Sequence, residues 1–393
     1  MTDEAHQRVW LEISLSTLRE NFRKIADAVA PCAVVGVLKA NAYGLGVRPI
    51  AGALQEAGCA AFGVAGLEEA LALSDLGLPV QILGSVLPDE VPEAVNAGIV
   101  LPVTDRETAE RISAEARKRD RRTPVHFLVD TGMGRLGILA RDAAATIAQA
   151  AALPGLDVQG IYSHFPVAYR GGSDYTEAQI TCFLELLQIL EARGIRFAWR
   201  HIANSDAVNN FPRTCRPPFN AVRTGINLHG SFDTEGRRAL DLKSVLTLKT
   251  RLAAVRNLPA GSCLGYGCTH RLPRDTRVGT IAAGYADGLP LALSNRGHVL
   301  VRGQSCPVLG RVSMDYTTVS LEKVPDAVCG DEVVCLGGSG PESVSVEDWA
   351  TLKGTHSYDI ICSFGSRVRR CYMGSGLTPN AHAPADTALR LPC

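Results

Sequence analysis

The chain has 393 residues, of which 46% are hydrophobic and 20% are charged, a composition typical of a folded globular protein. Its 40 Lys and Arg equal its 40 Asp and Glu, which argues against partners such as nucleic acid or an anionic membrane surface. No apolar run reaches the roughly 18 residues of a membrane span, and the length suggests a large domain and a small one.

Two further features predict a cytoplasmic protein without a metal site. The first ten residues, MTDEAHQRVW, contain no apolar segment of the kind found in a secretory signal. The twelve cysteines are scattered without a C-x-x-C pair, and Cys263 and Cys268 lack a second pair at zinc-ligand spacing. Free thiols in such number are typical of a reducing compartment.

The first predicted element in chain order is a helix over residues 15–29, whose apolar side chains recur at helical spacing. Thr17 with Glu20 has the spacing of a capping box near the start of this helix. Thr104 with Glu107 has the same spacing before a later helical pattern. We therefore expect a capping box near the start of each of these two helices.

From residue 32 onward, short apolar segments alternate with helical patterns. Eight such segments precede residue 235, at 32–38, 60–66, 80–84, 98–103, 125–130, 158–165, 197–203 and 222–230. Strands alternating with helices form βαβ units and a parallel sheet, and eight units close a TIM barrel. The sequence therefore predicts an α/β fold, with an N-terminal TIM-like (β/α)8 barrel over residues 14–238.

The character of the sequence changes after about residue 240. β-rich segments separated by Gly, Pro and Asn follow, with one short helical pattern, SVEDWATLKG. They predict a separate, mostly-β C-terminal domain over residues 239–372. The Pro-, Ala- and Thr-rich end, residues 373–393, predicts a flexible tail.

Lys39 stands directly after an apolar strand, AVVGVL. A lysine at a barrel rim either pairs with a carboxylate or forms a Schiff base with a carbonyl compound. The second use needs an amine that is desolvated or close to other cations. Polar residues also collect at the ends of other predicted strands, namely Asp130 to Arg135, His164, Asn204, Ser205, Arg223 and Gly225.

Two segments late in the predicted barrel have the features of a phosphate cradle. ANSDAV, residues 203–208, follows a strand and offers the Ser205 hydroxyl with backbone N–H groups at a helix start. RTGIN offers the amides of Gly225 and Ile226 on the last strand, where barrels often hold phosphate. Each segment alone is equally typical of a helix cap or a tight turn. Together with the rim lysine they indicate a phosphorylated aldehyde, hence pyridoxal phosphate.

Seven motifs in order carry a resemblance to a known family. They are VLKANAYGLG, DTGMGRLG, HIANS, VRTGI, GYGCT, GYADG and GRVSMD, and the match runs from Trp10 to about Arg370. In these motifs the chain resembles the alanine racemase family of fold-type III pyridoxal-phosphate enzymes. The resemblance implies a cytoplasmic amino-acid racemase that interconverts L- and D-alanine and supplies D-alanine for cell-wall synthesis.

The resemblance also implies roles for particular residues. Lys39 would hold the cofactor covalently and act as one base, and Tyr266 of the partner subunit would act as the other in a homodimer with composite sites. The remaining residues would bind the cofactor (Tyr43, His164, Asn204, Ser205, Arg223, Gly225, Ile226 and Tyr358) or the substrate carboxylate (Arg135 and the Met314 amide, supported by Asp315). The first strand, within residues 1–13, would join the β domain.

Three positions depart from the family pattern. Leu128 stands where many members carry a carbamylated lysine that orients the arginine matching Arg135. Leu291 replaces an entrance arginine, and Tyr169 with Arg170 replaces an acidic pair. A broad-specificity or serine-type racemase of the same family therefore stays open. A decarboxylase, suggested by Cys268 close to Tyr266, and a non-catalytic cofactor carrier are the remaining alternatives.

Overall fold

The computed structural model describes residues 7–338 and 342–374. It opens with strand β1, Val9–Ser14, and the helix Leu15–Val29, which has the predicted bounds. The predicted tail at 373–393 lies outside the described residues except for Met373 and Gly374.

Both predicted capping boxes are wrong. Ser14 caps the first helix by accepting the Thr17 N–H, which places the helix start before Thr17. The helix Arg106–Lys118 is capped by Asp105, whose Oδ1 accepts the Thr108 N–H at 2.7 Å. In each case a short oxygen-bearing side chain outside the helix reaches the free N–H of its first turn.

Eight parallel strands form the predicted barrel. They are β2 Ala33–Val37, β3 Ala61–Val64, β4 Val80–Ile82, β5 Leu101–Val103, β6 Thr123–Asp130, β8 Leu156–Tyr162, β9 Trp199–His201 and β10 Ala221–Thr224, and the short strand β7 Ile138–Leu139 pairs with β6 beside them. The eight strands are joined in the order β4-β3-β2-β10-β9-β8-β6-β5. A parallel bridge between Gln81 and Val100 links β4 to the segment before β5, which closes the barrel.

Helices follow the barrel strands, as the βαβ pattern predicted. The segment GLEEALALSDLG, whose apolar residues also recur at helical spacing, forms only the short helix Leu67–Leu71 and a 3-10 turn. The other helices of this part are Val47–Glu56, Val91–Asn96, Arg106–Lys118, Ala140–Ala151, Asp174–Ala192 and Ser205–Asn210.

The C-terminal part is a mostly-β unit. Its strands are β11 Leu246–Leu258, β12 Cys263–Leu264, β13 His270–Arg271, β14 Thr276–Ile281, β15 His298–Val301, β16 Gln304–Pro307, β17 Thr317–Ser320, β18 Glu332–Leu336 and β19 Arg369–Met373. One helix was predicted here, but the described residues of this part form two, Val346–Lys353 and Ser357–Ile361. The second brings Tyr358 to the barrel cavity.

Strand β1 lies in the sheet of the C-terminal part. It pairs antiparallel with β11, with Leu11 opposite Leu248, and parallel with β19, with Leu11 opposite Arg370. The chain therefore starts in the β domain, crosses into the barrel and returns. The domain limits at residues 13, 238 and 372 stay a prediction.

The buried core is continuous through both parts. One cluster of buried apolar side chains includes Ile13 and Leu248 of the β sheet together with Phe22 and Val34 of the barrel. Among the described residues, none of the helices combines the length and the apolar character needed to cross a membrane.

Candidate active site

A cavity of about 310 Å³ opens at the C-terminal ends of the barrel strands. This is where active sites lie in barrels of this type. Of the residues singled out from the sequence, it brings together Lys39, Tyr43, Arg135, His164, Asn204, Ser205, Arg223, Gly225 and Tyr358.

The lysine that ends β2 leads into a left-handed turn. Ala40, Asn41 and Ala42 have φ values of 53°, 54° and 52°, and Tyr43 has a φ of 60°. A left-handed conformation costs a residue with a Cβ about 1–2 kcal/mol. The turn also forms its own hydrogen bond from Gly44 N–H to the Ala40 carbonyl, at 2.7 Å. Such a strained segment at a cavity indicates that surrounding contacts hold it in place.

The last strand of the chain holds the exit of this turn. The Arg370 Nε–H donates to the Gly44 carbonyl at 3.0 Å, and the Tyr372 hydroxyl donates to the Leu45 carbonyl at 2.8 Å. Gly46 has a φ of 100°, and a Cβ there would collide with the Tyr372 hydroxyl. The β domain therefore fixes the segment that follows Lys39.

The surroundings of Lys39 favour its neutral amine. Burial of the amine among the cavity walls lowers its pKa most, and the Arg135 guanidinium lowers it further. Cys362 and Glu69 act in the opposite direction. A lysine amine with a lowered pKa is the form that attacks a carbonyl carbon or removes a proton.

Arg223 is buried, and both of its terminal nitrogens have hydrogen-bond acceptors. One terminal nitrogen donates to His201 Nδ1 at 2.7 Å, and the other contacts the Ser163 carbonyl at 2.7 Å, the Ile202 carbonyl at 3.2 Å and His164 Nδ1 at 3.2 Å. Burial lowers the pKa of Arg223 to about 10, so it stays charged at neutral pH. Its Nε–H donates to no described residue and is left for a ligand in the cavity.

Arg223 also determines where two buried histidines carry their protons. Because a guanidinium only donates, His201 Nδ1 must accept, and the proton of the neutral ring lies on Nε2. That Nε2–H then donates to His126 Nδ1 at 3.3 Å. Burial and the Arg223 charge lower the pKa of both rings, that of His126 to about 3. His126 was not predicted from the sequence, where its only signal is a polar residue within the buried strand β6.

Hydroxyl groups collect on the opposite side of the cavity. The Tyr43 and Tyr358 rings lie 6.0 Å apart between centroids, and a Cβ at Gly225 would collide with the Tyr43 hydroxyl. Ser205 Oγ accepts the Gly225 N–H at 3.1 Å, so this amide already has a partner. Asn204 Oδ1 accepts the Ala207 N–H at 2.9 Å and caps the helix Ser205–Asn210. Asn204 is therefore a helix cap, which was the alternative to a phosphate cradle in the sequence.

Arg135 lines the cavity and is exposed. Within the described residues, its guanidinium forms no hydrogen bond or ion pair. The nearby Asp130 carboxylate accepts the N–H groups of Gly132, Met133 and Gly134 at 2.8 to 3.1 Å. Leu128 also lines the cavity and offers no acceptor.

Four residues proposed from the sequence do not line this cavity. Tyr266 and Met314 project from the β domain with 71% and 51% of their surface exposed. Ile226 is fully buried. Asp315 accepts from Arg367 at 2.7 Å, and Arg367 also binds the buried Asp287 at 2.7 and 3.0 Å.

Comparison with known proteins assigns the chain to a family. Residues 13–232 match the model of the alanine racemase N-terminal domain, and residues 245–372 match the model of its C-terminal domain. The chain belongs to the alanine racemase family. It is 40% identical to the alanine racemase of Desulforamulus reducens, over 93% of this chain and 99% of that one, and 39% identical to that of Syntrophobacter fumaroxidans, over 91% and 95%.

Solved alanine racemase structures share the fold. That from Streptomyces lavendulae superposes with a TM-score of 0.87 at 35% identity, covering 95% of this chain and 98% of that one. The structure from Bacillus anthracis with bound L-Ala-P superposes with a TM-score of 0.85 at 31% identity, covering 95% of this chain and 96% of that one. The structure from Bartonella henselae with covalently bound pyridoxal phosphate superposes with a TM-score of 0.83 at 28% identity, covering 94% of this chain and 100% of that one.

Of the positions that depart from the alanine racemase pattern, Leu128 lines the cavity and the others do not. Arg170 pairs with Glu235 at 3.3 Å and lies over the Tyr169 ring at 5.5 Å. Leu291 is exposed in a 3-10 turn of the β domain.

Proposed function

We propose that the chain is a pyridoxal-phosphate-dependent alanine racemase that acts in the cytoplasm as a homodimer. The observation that carries the proposal is the Lys39 amine, with its lowered pKa, in one cavity with the donor-only Arg223 and a cluster of hydroxyl groups. An amine, a cation and a hydroxyl cluster are the groups that an aldehyde, a ring nitrogen and a phosphate require.

The residues present fit the cofactor. Lys39 is the only lysine among the residues that line the described cavity, so it would hold the aldehyde carbon. The Tyr43, Tyr358 and Ser205 hydroxyls would hold the phosphate, and the absence of a Cβ at Gly225 lets the Tyr43 hydroxyl lie against the backbone there. When bound, pyridoxal phosphate withdraws electrons from the substrate and acidifies its Cα–H bond.

Arg223 sets the chemistry at the ring nitrogen. Its Nε–H, which donates to no described residue, would donate a hydrogen bond there, and at neutral pH Arg223 would keep its proton, because its pKa stays at about 10. The ring nitrogen would therefore stay unprotonated. Weak electron withdrawal favours rapid return of the proton to Cα over competing reactions such as transamination.

Racemisation needs a base on each face of Cα. Lys39 is the base on one face, and Tyr266 of the partner subunit is proposed as the base on the other. The exposure of Tyr266 and Met314 in the single chain supports this assignment, because both are free to reach a neighbouring cavity. Arg135 and the Met314 amide would bind the substrate carboxylate.

Alanine is the proposed substrate, and D-alanine for cell-wall synthesis is the proposed product. A broader substrate range is the second candidate. It rests on Leu128, which offers the Arg135 guanidinium no acceptor, and on Asp130, whose carboxylate binds the loop amides instead.

The Lys39→Ala variant tests the proposal. We expect the purified variant to lose both the visible cofactor band and the interconversion of L- and D-alanine, followed by circular dichroism. Borohydride reduction of the wild type should fix the cofactor on Lys39. A reducible adduct on another lysine with full racemisation would contradict the proposal, and racemisation of a wider amino-acid panel would decide between the two candidates.

A further inference from the structure

Glu69, on the short helix Leu67–Leu71, links the Lys39 turn to the neighbouring barrel strand. Its Oε1 accepts the Ala40 N–H at 2.6 Å, and its Oε2 accepts the Ala65 N–H at 2.8 Å. Ala40 is the first residue of the left-handed turn, and Ala65 directly follows β3. One carboxylate therefore joins the backbone on the two sides of the cavity rim.

Within the turn, backbone carbonyls accept hydrogen bonds from the later N–H groups but not from the first one, that of Ala40. Ala42 N–H donates to the Leu38 carbonyl at 2.9 Å, and Gly44 N–H donates to the Ala40 carbonyl at 2.7 Å. The Ala40 N–H points away from these carbonyls and finds its acceptor in the Glu69 side chain. The turn is thus held at its exit by the β domain and at its start by Glu69.

We propose that Glu69 is a positioning residue that fixes the start of the left-handed turn and so directs the Lys39 amine into the cavity. The inference rests on the proposed role of Lys39. A carboxylate suits the task because each of its two oxygens can accept one of the two N–H groups, which no neutral side chain of this length can do.

Glu69 also acts on the charge of Lys39. The groups around the amine are Arg135, which lowers its pKa, Cys362 and Glu69, which raise it, and His164, whose ring is neutral because burial lowers its pKa to about 3. Loss of the Glu69 charge therefore lowers the pKa of Lys39 further, while loss of its hydrogen bonds frees the turn. The two effects can be measured separately.

The test follows the capture of pyridoxal phosphate by the full-length protein after hydroxylamine has removed bound carbonyl compounds. The rate is measured by absorbance over about pH 6 to 10, a range that spans a lowered lysine pKa. Borohydride reduction and peptide mass mapping locate the adduct. The variants are Glu69→Gln, Glu69→Ala and Glu69→Asp, with Glu68→Gln as the matched control on the same helix, where the side chain is exposed.

We expect Glu69→Ala to slow capture by about tenfold or more, the usual loss when a supporting contact behind a reacting group is removed. Glu69→Gln should shift the pH midpoint of capture downward, because it removes the charge. Glu69→Asp keeps the charge but is one methylene shorter, so it should slow capture at an unshifted midpoint. Glu68→Gln should match the wild type in both.

Wild-type rates and midpoints in all Glu69 variants would overturn this inference alone. So would a lower melting temperature with unchanged rate and midpoint, because that pattern indicates a purely structural contact. Failure of the wild type to capture the cofactor at Lys39 would overturn the proposed function and this inference with it.

Discussion

The two candidate bases have very different surroundings within one chain. Lys39 lies in the cavity wall, where burial and Arg135 lower the pKa of its amine. Tyr266 lies in the β domain with 71% of its surface exposed and does not line the cavity. A phenol has an ordinary pKa near 10 and needs nearby cations to act as a base at neutral pH. In the proposed dimer, the charged Arg223 of the neighbouring cavity would supply that environment, beside the neutral His164 ring.

The first prediction concerns Tyr266. The Tyr266→Phe variant should keep the cofactor band but lose proton removal from L-alanine, because the hydroxyl that accepts this proton is absent. Deuterium incorporation at Cα from heavy water, followed separately from each enantiomer, measures the loss. Cys268→Ser is the matched control and should racemise normally. Undiminished exchange from L-alanine in Tyr266→Phe would contradict the assignment.

The second prediction concerns Leu128. Because Arg135 has no acceptor behind it among the described residues, it should bind the carboxylate loosely and tolerate side chains other than that of alanine. In Leu128→Lys with bicarbonate present, preference for alanine over serine should rise about tenfold, the usual effect of restored support. The measurement is kcat/KM for both amino acids in both proteins. A wild-type preference already above about 100-fold, or roughly 2.7 kcal/mol, and unchanged in the variant, would refute the idea.

Among the elements, the short segment after β2 depends on β19, more than 300 residues later in the chain. Arg370 and Tyr372 donate to the carbonyls of Gly44 and Leu45, and Tyr372 fills the space beside Gly46. Since Ala40 to Tyr43 lie in a disfavoured left-handed conformation, these contacts offset part of its cost. The shape of the cavity in the barrel therefore depends on the β domain that packs beside it.

The third prediction tests this dependence. Gly46→Ala should lower stability by about 2 kcal/mol or more and weaken cofactor retention, because the added Cβ meets the Tyr372 hydroxyl at a positive φ. Gly52→Ala is the matched control within the helix Val47–Glu56, where a Cβ meets no neighbour. It should be neutral or stabilising by up to about 1 kcal/mol. Denaturant unfolding measures both, and equal effects would contradict the prediction.

The sequence predicted the elements better than their connections. Strands buried on both faces of a parallel sheet have nearly continuous apolar sequences, so the eight barrel strands could be predicted from the sequence. The lysine at the end of β2, Lys39, could be predicted in the same way. The left-handed turn could not, because Ala40 to Tyr43 contain no glycine. Glu69 and His126 act through contacts with residues far from them in sequence, and no local pattern marks such contacts. The capping residues Ser14 and Asp105 were missed because threonines nearby had equally suitable spacing.

Under the proposed function, a single copy of the whole molecule would have an incomplete site. The barrel supplies Lys39, Arg223 and the hydroxyl cluster, whereas Tyr266 and Met314 face outward. Two copies related by a two-fold axis would each complete the site of the other, because an isologous interface places the same surfaces opposite each other twice. Activity is then a property of the pair.

The fourth prediction follows from this exchange. Lys39→Ala and Tyr266→Phe are each inactive alone, but a mixed dimer contains one site with both native bases. Random pairing makes half of the dimers mixed, so co-refolded variants should regain about a quarter of wild-type racemisation. Activity is measured before and after mixing, with Lys39→Ala mixed with itself as the control. No recovery despite demonstrated subunit exchange would contradict the composite site.

The pairing of β1 with both β11 and β19 has a consequence for synthesis on the ribosome. The first strand to emerge has no partner until residue 246 appears, and its second partner arrives only with the end of the chain. At about 5–20 residues per second, this wait lasts tens of seconds. The Lys39 turn waits equally long for Arg370 and Tyr372. A nascent chain can thus complete its barrel strands while the exit of the Lys39 turn is still unrestrained, and a product truncated before β19 lacks the contacts that hold this exit.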